Sequence, residues 1–373
     1  MEQGYLTKTW KMTKEKVLEA LSTVQEPDLG KDLVTLNMVK DIEIDGQYVS
    51  FTVVLTTPAC PLKDMIKNAC INAIKQLVNK DAIIKVNFNS QTTSRRNDNK
   101  VLLPGVKNIV AVVSGKGGVG KSTVAANLAL AIAKDGAKVG LLDADIYGPS
   151  VPIMFGVRGE RPMMAEINGK GMIIPIERYG IKLISIGLLV DEKNAVVWRG
   201  PMASSAIKQF VTDVYWDELD YLIVDMPPGT GDIHLTLMQT VPVTGVVVVT
   251  TPQDVALADA KKGIAMFSQA QLNVPVIGLV ENMSYFSPTP DQRYYIFGKD
   301  GGKRLADEYD LPFLGQIPLV QGIREGGDTG VPIMISDDET TKKAFEEFAG
   351  HVVRSISMRN ANMSKEKVAE LVS

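Results

Sequence analysis

Two histidines and two cysteines are all the imidazole and thiol that this chain of 373 residues contains. With only His234 and His351, no histidine-based metal cluster can form within one chain. Cys60 and Cys70 are too few for a disulfide framework, and two such thiols stay unpaired in a reducing compartment. A net charge of −3 supplies no global basic field, so neither nucleic acid nor an acidic membrane surface is an expected partner. No apolar run approaches the roughly 18 residues of a membrane span, and no charged-then-apolar signal opens the chain. A cytoplasmic location is therefore expected. What remains, 45 % hydrophobic and 22 % charged, is globular material sufficient for two or three domains.

Against these absences stands the segment Ser114 to Thr123, SGKGGVGKST, which fits the phosphate-loop pattern GxxxxGK[ST]. It follows the β-branched run Ile109 to Val113 and precedes a helical stretch to Lys134, so strand, loop and helix come in the required order. Glycines let the backbone adopt positive φ and turn its N–H groups towards phosphates, and the helix N-terminus adds partial positive charge. Gly115, Lys116, Gly117, Gly118, Val119, Gly120, Lys121, Ser122 and Thr123 are thus the expected cradle for ATP. Lys121 has the reach for the β- and γ-phosphates, and the Ser122 hydroxyl suits the octahedral shell of Mg2+. Lys116 is a second, early lysine: either a solvated neighbour of the phosphates or a charge aimed at a bridging oxygen.

Residues 1–90 read as a separate small α+β unit. It has helices over Thr13 to Thr23 and Asp64 to Val78, and strands over Asn37 to Ile44, Tyr48 to Leu55 and Ile83 to Phe88. The polar stretch 91–105 reads as a linker. From 106 to 355, β-rich runs alternate with helical ones, and near-continuous apolar strands such as GVVVVTT imply a doubly wound, mostly parallel sheet buried on both faces. Residues 356–373 read as a charged surface helix or frayed tail.

Ligands on such sheets bind beyond the strand carboxyl ends, and two acidic motifs fall there. LLDADIYGPS offers Asp143 and Asp145, and YLIVDMPPGTGD offers Asp225. Asp225 and Asp143 are expected beside Mg2+, directly or through water, and Asp145 is expected to position the attacking water. A helix cap or turn role is the alternative for these carboxylates. The loop Pro227 to Gly231 suits a segment that responds to the γ-phosphate.

Together, KGGVGKS with its early lysine, DADIYGPS, WRGPM at 198–202, VDMPPGTGD and Glu281-Asn282-Met283 resemble the Mrp/ApbC family of iron-sulfur cluster carrier ATPases. EPDLGKDLVTLNMVKDI and LTTPACP resemble the small metal-sulfur-cluster assembly domain often fused in front of that ATPase. The resemblance implies slow ATP hydrolysis coupled to a shape change. It also implies a homodimer in which Lys116 acts on the partner's nucleotide, and delivery of an iron-sulfur cluster to apoproteins alongside cluster-assembly proteins. It places Asn282 at the adenine amino edge and Pro318 near the base; an amide closing a strand end is the alternative for Asn282.

One departure from that family matters. Its members carry a CxxC pair shortly after ENMS, through which two chains bridge a [4Fe-4S] cluster, whereas this chain reads ENMSYFSPTPDQRYYIFG. No soft ligand exists there. Cys60, ahead of Pro61 and a helix, is the candidate cluster ligand or relay, against the alternative of an inert buried thiol; Cys70, in mid-helix, reads as structural. An ATP-gated assembly scaffold that no longer binds a cluster, and a partitioning-type ATPase switch, are the competing functions.

Overall fold

The computed structural model describes residues 12–94, 102–189, 200–269, 272, 274–289 and 291–370. Trp198 and Arg199 of the WRGPM run lie outside them. The chain divides into two compact units, Met1–Thr93 with Ser364–Ser373, and Ser94–Met363. Among the described residues no helix is long and apolar enough to cross a membrane.

In the N-terminal unit, helix Lys14–Leu21 starts at Thr13, whose hydroxyl accepts from the Lys16 N–H at 3.4 Å. Strands Val39–Asp45 and Tyr48–Leu55 pair antiparallel across Asp45-Gly46, where Gly46 takes φ +59°. Strand Ile83–Ser90 then pairs parallel to Tyr48–Leu55, after the crossover helix Lys63–Leu77. Alternation decides which face is core: Val49, Phe51, Val53 and Leu55 are buried, with Leu21, Ile66, Cys70 and Ile74 packed in the same cluster.

The second unit is built on an eight-stranded sheet. Its order is Ile176–Arg178, Ile181–Ser185, Val139–Asp143, Leu219–Asp225, Val106–Val113, Gly245–Thr250, Val276–Glu281 and Phe313–Gln316. All neighbours are parallel except the antiparallel edge strand Ile176–Arg178. Every residue of Val139–Asp143, Leu219–Asp225 and Gly245–Thr250 is buried, as a sheet covered on both faces requires. Strand order reverses at Val106–Val113, so the phosphate loop leaves the sheet at its topological switch point. Asp143 and Asp225 are register partners on adjacent strands, which puts two carboxylates side by side at the carboxyl edge.

The final helix runs over Glu339–Glu370, and Val352, Val353, Ile356 and Asn360 on it are buried. Asn360 donates to Asn108 Oδ1 at 3.1 Å, tying that helix to the phosphate-loop strand through a polar contact that hydrophobic periodicity does not register. The segment after ENMS forms a short hairpin, Phe286–Thr289 with Gln292–Tyr294.

Candidate functional site

The phosphate loop turns on glycines for two distinct reasons. Gly118 and Gly120 take φ +81° and +80°, the left-handed region that turns successive N–H groups into one concavity, and helix Lys121–Lys134 begins directly after them. At Gly115 the reason is space: a Cβ there would lie 2.2 Å from the Asp259 carbonyl carbon on helix Asp254–Phe267. The loop's first turn is thus wedged against a neighbouring helix backbone. The Ser114 hydroxyl donates to the Lys116 carbonyl at 2.9 Å, and the Lys116 side chain is half-buried.

Lys121 folds back into the acidic edge of the sheet. Its Nζ lies 2.5 Å from Asp225 Oδ1, 3.2 Å from Ser122 Oγ and 3.7 Å from Asp145 Oδ2, with 6 % of the side chain exposed. Burial pushes the Asp225 carboxyl up, and the lysine's charge and hydrogen bond pull against that shift. Asp225 Oδ2 is buried and, among the described residues, has no hydrogen-bond partner. A carboxylate oxygen left bare next to a serine hydroxyl at a helix N-terminus is a hard-oxygen donor set, which fits Mg2+ shared with phosphates and water. No group of three or more His, Cys, Asp or Glu among the described residues is arranged to hold a metal ion by itself.

Asp143 ends its strand beside Asp225 and is held at both carboxylate oxygens. Its Oδ1 accepts from the Asp145 N–H at 3.1 Å, and its Oδ2 accepts from the Ser185 hydroxyl at 2.8 Å and the Val151 N–H at 3.3 Å. Both oxygens accept from protein donors, so this buried carboxylate shapes the DADIYGPS turn. Burial, then the neighbouring Asp225 charge, push it up to about 7. The turn it holds aims Asp145 at Lys121, with 12 % of the Asp145 side chain exposed.

Asn282 and Pro318 come together with Gly120, Thr123, Met283 and Ile323 around a cavity of about 360 Å3 on the far side of the loop. Asn282 follows strand Val276–Glu281, and its Nδ2 donates to the Val119 carbonyl at 2.8 Å. A Cβ on Gly120 would meet that Nδ2 at 2.2 Å. The amide therefore binds the phosphate loop while lining the cavity, so the two sequence readings of Asn282 describe one side chain.

His234 carries no motif of its own, yet it is part of the site. It sits on helix Asp232–Thr240, 1 % exposed, with Nε2 2.9 Å from the Pro227 carbonyl. Its only sequence cue is its place, three residues after Gly231 in a chain with two histidines.

The cysteines separate as their positions suggest. Cys60 is half-buried in the turn ahead of helix Lys63–Leu77, and its carbonyl accepts from the Lys63 N–H at 3.4 Å. Cys70 is fully buried in that helix, and burial pushes its thiol up to about 12. In the hairpin 286–294, the Ser287 hydroxyl is turned inward to donate to the Gln292 carbonyl at 2.7 Å, and Arg293 lies over the Tyr285 ring at 4.3 Å.

Comparison with known proteins finds a family model described as NUBPL iron-transfer P-loop NTPase over residues 105–353, and one described as iron-sulfur cluster assembly protein over residues 14–86. The iron-sulfur cluster carrier protein of Synechocystis is 48 % identical over 93 % of this chain and 99 % of its own length. That of Deinococcus radiodurans is 47 % identical over 96 % and 99 %. Among solved structures, a nucleotide-binding protein of Archaeoglobus fulgidus in complex with ADP is 39 % identical, covering 65 % of this chain and 92 % of that one, with a TM-score of 0.55. The cell division ATPase MinD of Pyrococcus furiosus, at 23 % identity and a TM-score of 0.50, shares the fold.

Proposed function

The chain belongs to the family of NUBPL iron-transfer P-loop NTPases, and from that premise we propose that it is a Mg2+-dependent ATPase that carries iron-sulfur clusters and passes them to apoproteins. The observation that carries the reading is the Lys121, Ser122 and Asp225 cluster at the loop's helix N-terminus, with one Asp225 oxygen bare. Ser122 and Asp225 would hold Mg2+, which would supply charge neutralisation at the β- and γ-phosphate oxygens; the N–H groups from Gly115 to Thr123 would cradle the phosphates, and Lys121 would offset charge as the γ-phosphoryl leaves. Asp145, aimed by Asp143, positions the attacking water. Asn282 and Pro318 line the cavity that takes the base. Lys116 serves a nucleotide on a second copy of the chain, so the working unit is a homodimer, placed in the cytoplasm.

The cluster is cargo. The hairpin 286–294 brings no thiolate to it, and of the two cysteines only Cys60 is accessible. Two copies pool their Cys60 thiolates, and a small thiol or the recipient completes the ligand set. The absence of cysteine from the hairpin also favours a second reading, an ATP-gated scaffold that recruits assembly partners and holds no cluster.

Turnover of Mg-ATP by Lys121→Ala and Ser122→Ala tests the ATPase. Both variants are expected to bind nucleotide weakly and to hydrolyse none; normal turnover in either refutes the site.

A further inference from the structure

The loop after Asp225 touches the phosphate loop and is fastened at several points. Met226 N–H donates to the Val112 carbonyl at 3.1 Å, and Gly229 N–H donates to the Ser114 carbonyl at 2.9 Å. Pro228 Cγ stands 4.0 Å from where a Cβ on Gly117 would sit. The remaining fastening is His234, whose backbone N–H donates to the Gly231 carbonyl at 3.0 Å and whose Nε2 meets the Pro227 carbonyl at 2.9 Å. Two consecutive prolines have no N–H to contribute and can be gripped only by their carbonyls, and His234 takes that of Pro227.

A carbonyl only accepts, so Nε2 carries the proton. Nδ1 is then a bare lone pair, buried and without a partner among the described residues. Burial lowers the ring's proton affinity, the backbone of Pro227 and Gly231 pulls against that shift, and the weaker charges of Lys121 and Asp145 act in opposite senses, so the ring lies within the field of the phosphate site.

We infer that His234 is a positioning residue for ATP hydrolysis: its Nε2–H fixes the Pro227 carbonyl and thereby holds the loop 227–231 over the γ-phosphate, linking that loop to helix Asp232–Thr240. This rests on the ATPase reading above. The bond is made to the loop and not to the base cavity, so it acts on turnover and leaves nucleotide affinity nearly untouched.

The test compares His234→Ala and His234→Gln in the full chain. His234→Ala is expected to lower kcat about tenfold with KM for Mg-ATP within about twofold, and His234→Gln, which keeps an N–H donor, to restore kcat to within about threefold of wild type. An Ala variant with wild-type kcat, or a Gln variant as slow and as heat-labile as Ala, overturns the inference. Lack of turnover in the wild type counts instead against the ATPase reading. In that event the ring nitrogens of 15N-histidine-labelled protein, which has two histidines to assign, judge the latch alone. A protonated Nε2 and bare Nδ1 for His234, shifted by Mg2+ with a non-hydrolysable ATP analogue, is the expected result; a protonated Nδ1, or signals indifferent to nucleotide, overturns it.

Discussion

Lys121 and Asp225 form a buried ion pair at 2.5 Å, joining the first residue of the phosphate-loop helix to the last residue of the strand beside the loop's own. The pair sits where two carboxylates, Asp225 and Asp143, are register partners, and the lysine is what makes that crowding tolerable. Removing one partner of such a pair leaves an uncompensated buried charge, at a cost of about 3–5 kcal/mol. Lys121→Ala should therefore lose turnover and also lower stability in urea by about 3 kcal/mol. The double variant Lys121→Ala with Asp225→Asn should recover much of that loss while remaining inactive.

The glycines of the loop should differ in what they tolerate. Gly115→Ala drives a Cβ into the Asp259 backbone and should cost at least about 1–3 kcal/mol with a misplaced loop. Gly118→Ala meets no atom within 4 Å and incurs only the left-handed strain of φ +81°, about 1–2 kcal/mol. Urea unfolding should rank Gly115→Ala as the more damaging; the reverse order would contradict the packing of the loop on helix Asp254–Phe267.

His234 makes stability depend on pH. Its folded-state pKa is lowered from 6.5, so below that pH the unfolded chain takes up a proton that the folded chain resists. The contribution is full above about 6.5 and is lost as pH falls below it. Asp143 acts with the opposite sign: its raised pKa favours the folded state at low pH and loses that advantage between about 4 and about 7. Because Asp143 is common to both proteins, the difference in Tm between wild type and His234→Gln isolates the histidine. Wild type should lose more Tm than the variant between pH 7.5 and 5.5.

The thiols should react at very different rates. In native protein an aromatic disulfide reagent should modify Cys60 readily and Cys70 only on unfolding, since Cys70 is fully buried with its thiol pushed up to about 12. Two fast thiols in the native state would contradict the packing of helix Lys63–Leu77.

The legible parts of this molecule are those whose chemistry is local in sequence. The phosphate loop and the aspartates at strand ends each fit within about ten residues, the doubly wound alternation repeats in short runs over residues 106–355, and strand Gly245–Thr250 keeps the bounds its apolar run suggests. Edge strand Phe313–Gln316 stays hidden because four residues with a glycine carry no period. The grip on Asp143 is silent in the sequence for a different reason: its partners Ser185 and Val151 are brought to it by the fold, one of them 42 residues away. His234 is likewise silent until helix Asp232–Thr240 folds it back onto Pro227.

Cys60, in place of a hairpin thiolate pair, is the proposed anchor of the cluster. Anaerobic reconstitution with iron and sulfide, followed by bound-iron analysis and the visible spectrum of wild type, Cys60→Ser and Cys70→Ser, tests it most directly. Iron with thiolate-to-iron absorption is expected in wild type and Cys70→Ser, and its loss in Cys60→Ser. A wild type that binds no iron, or a Cys60→Ser variant that binds as much, would contradict it.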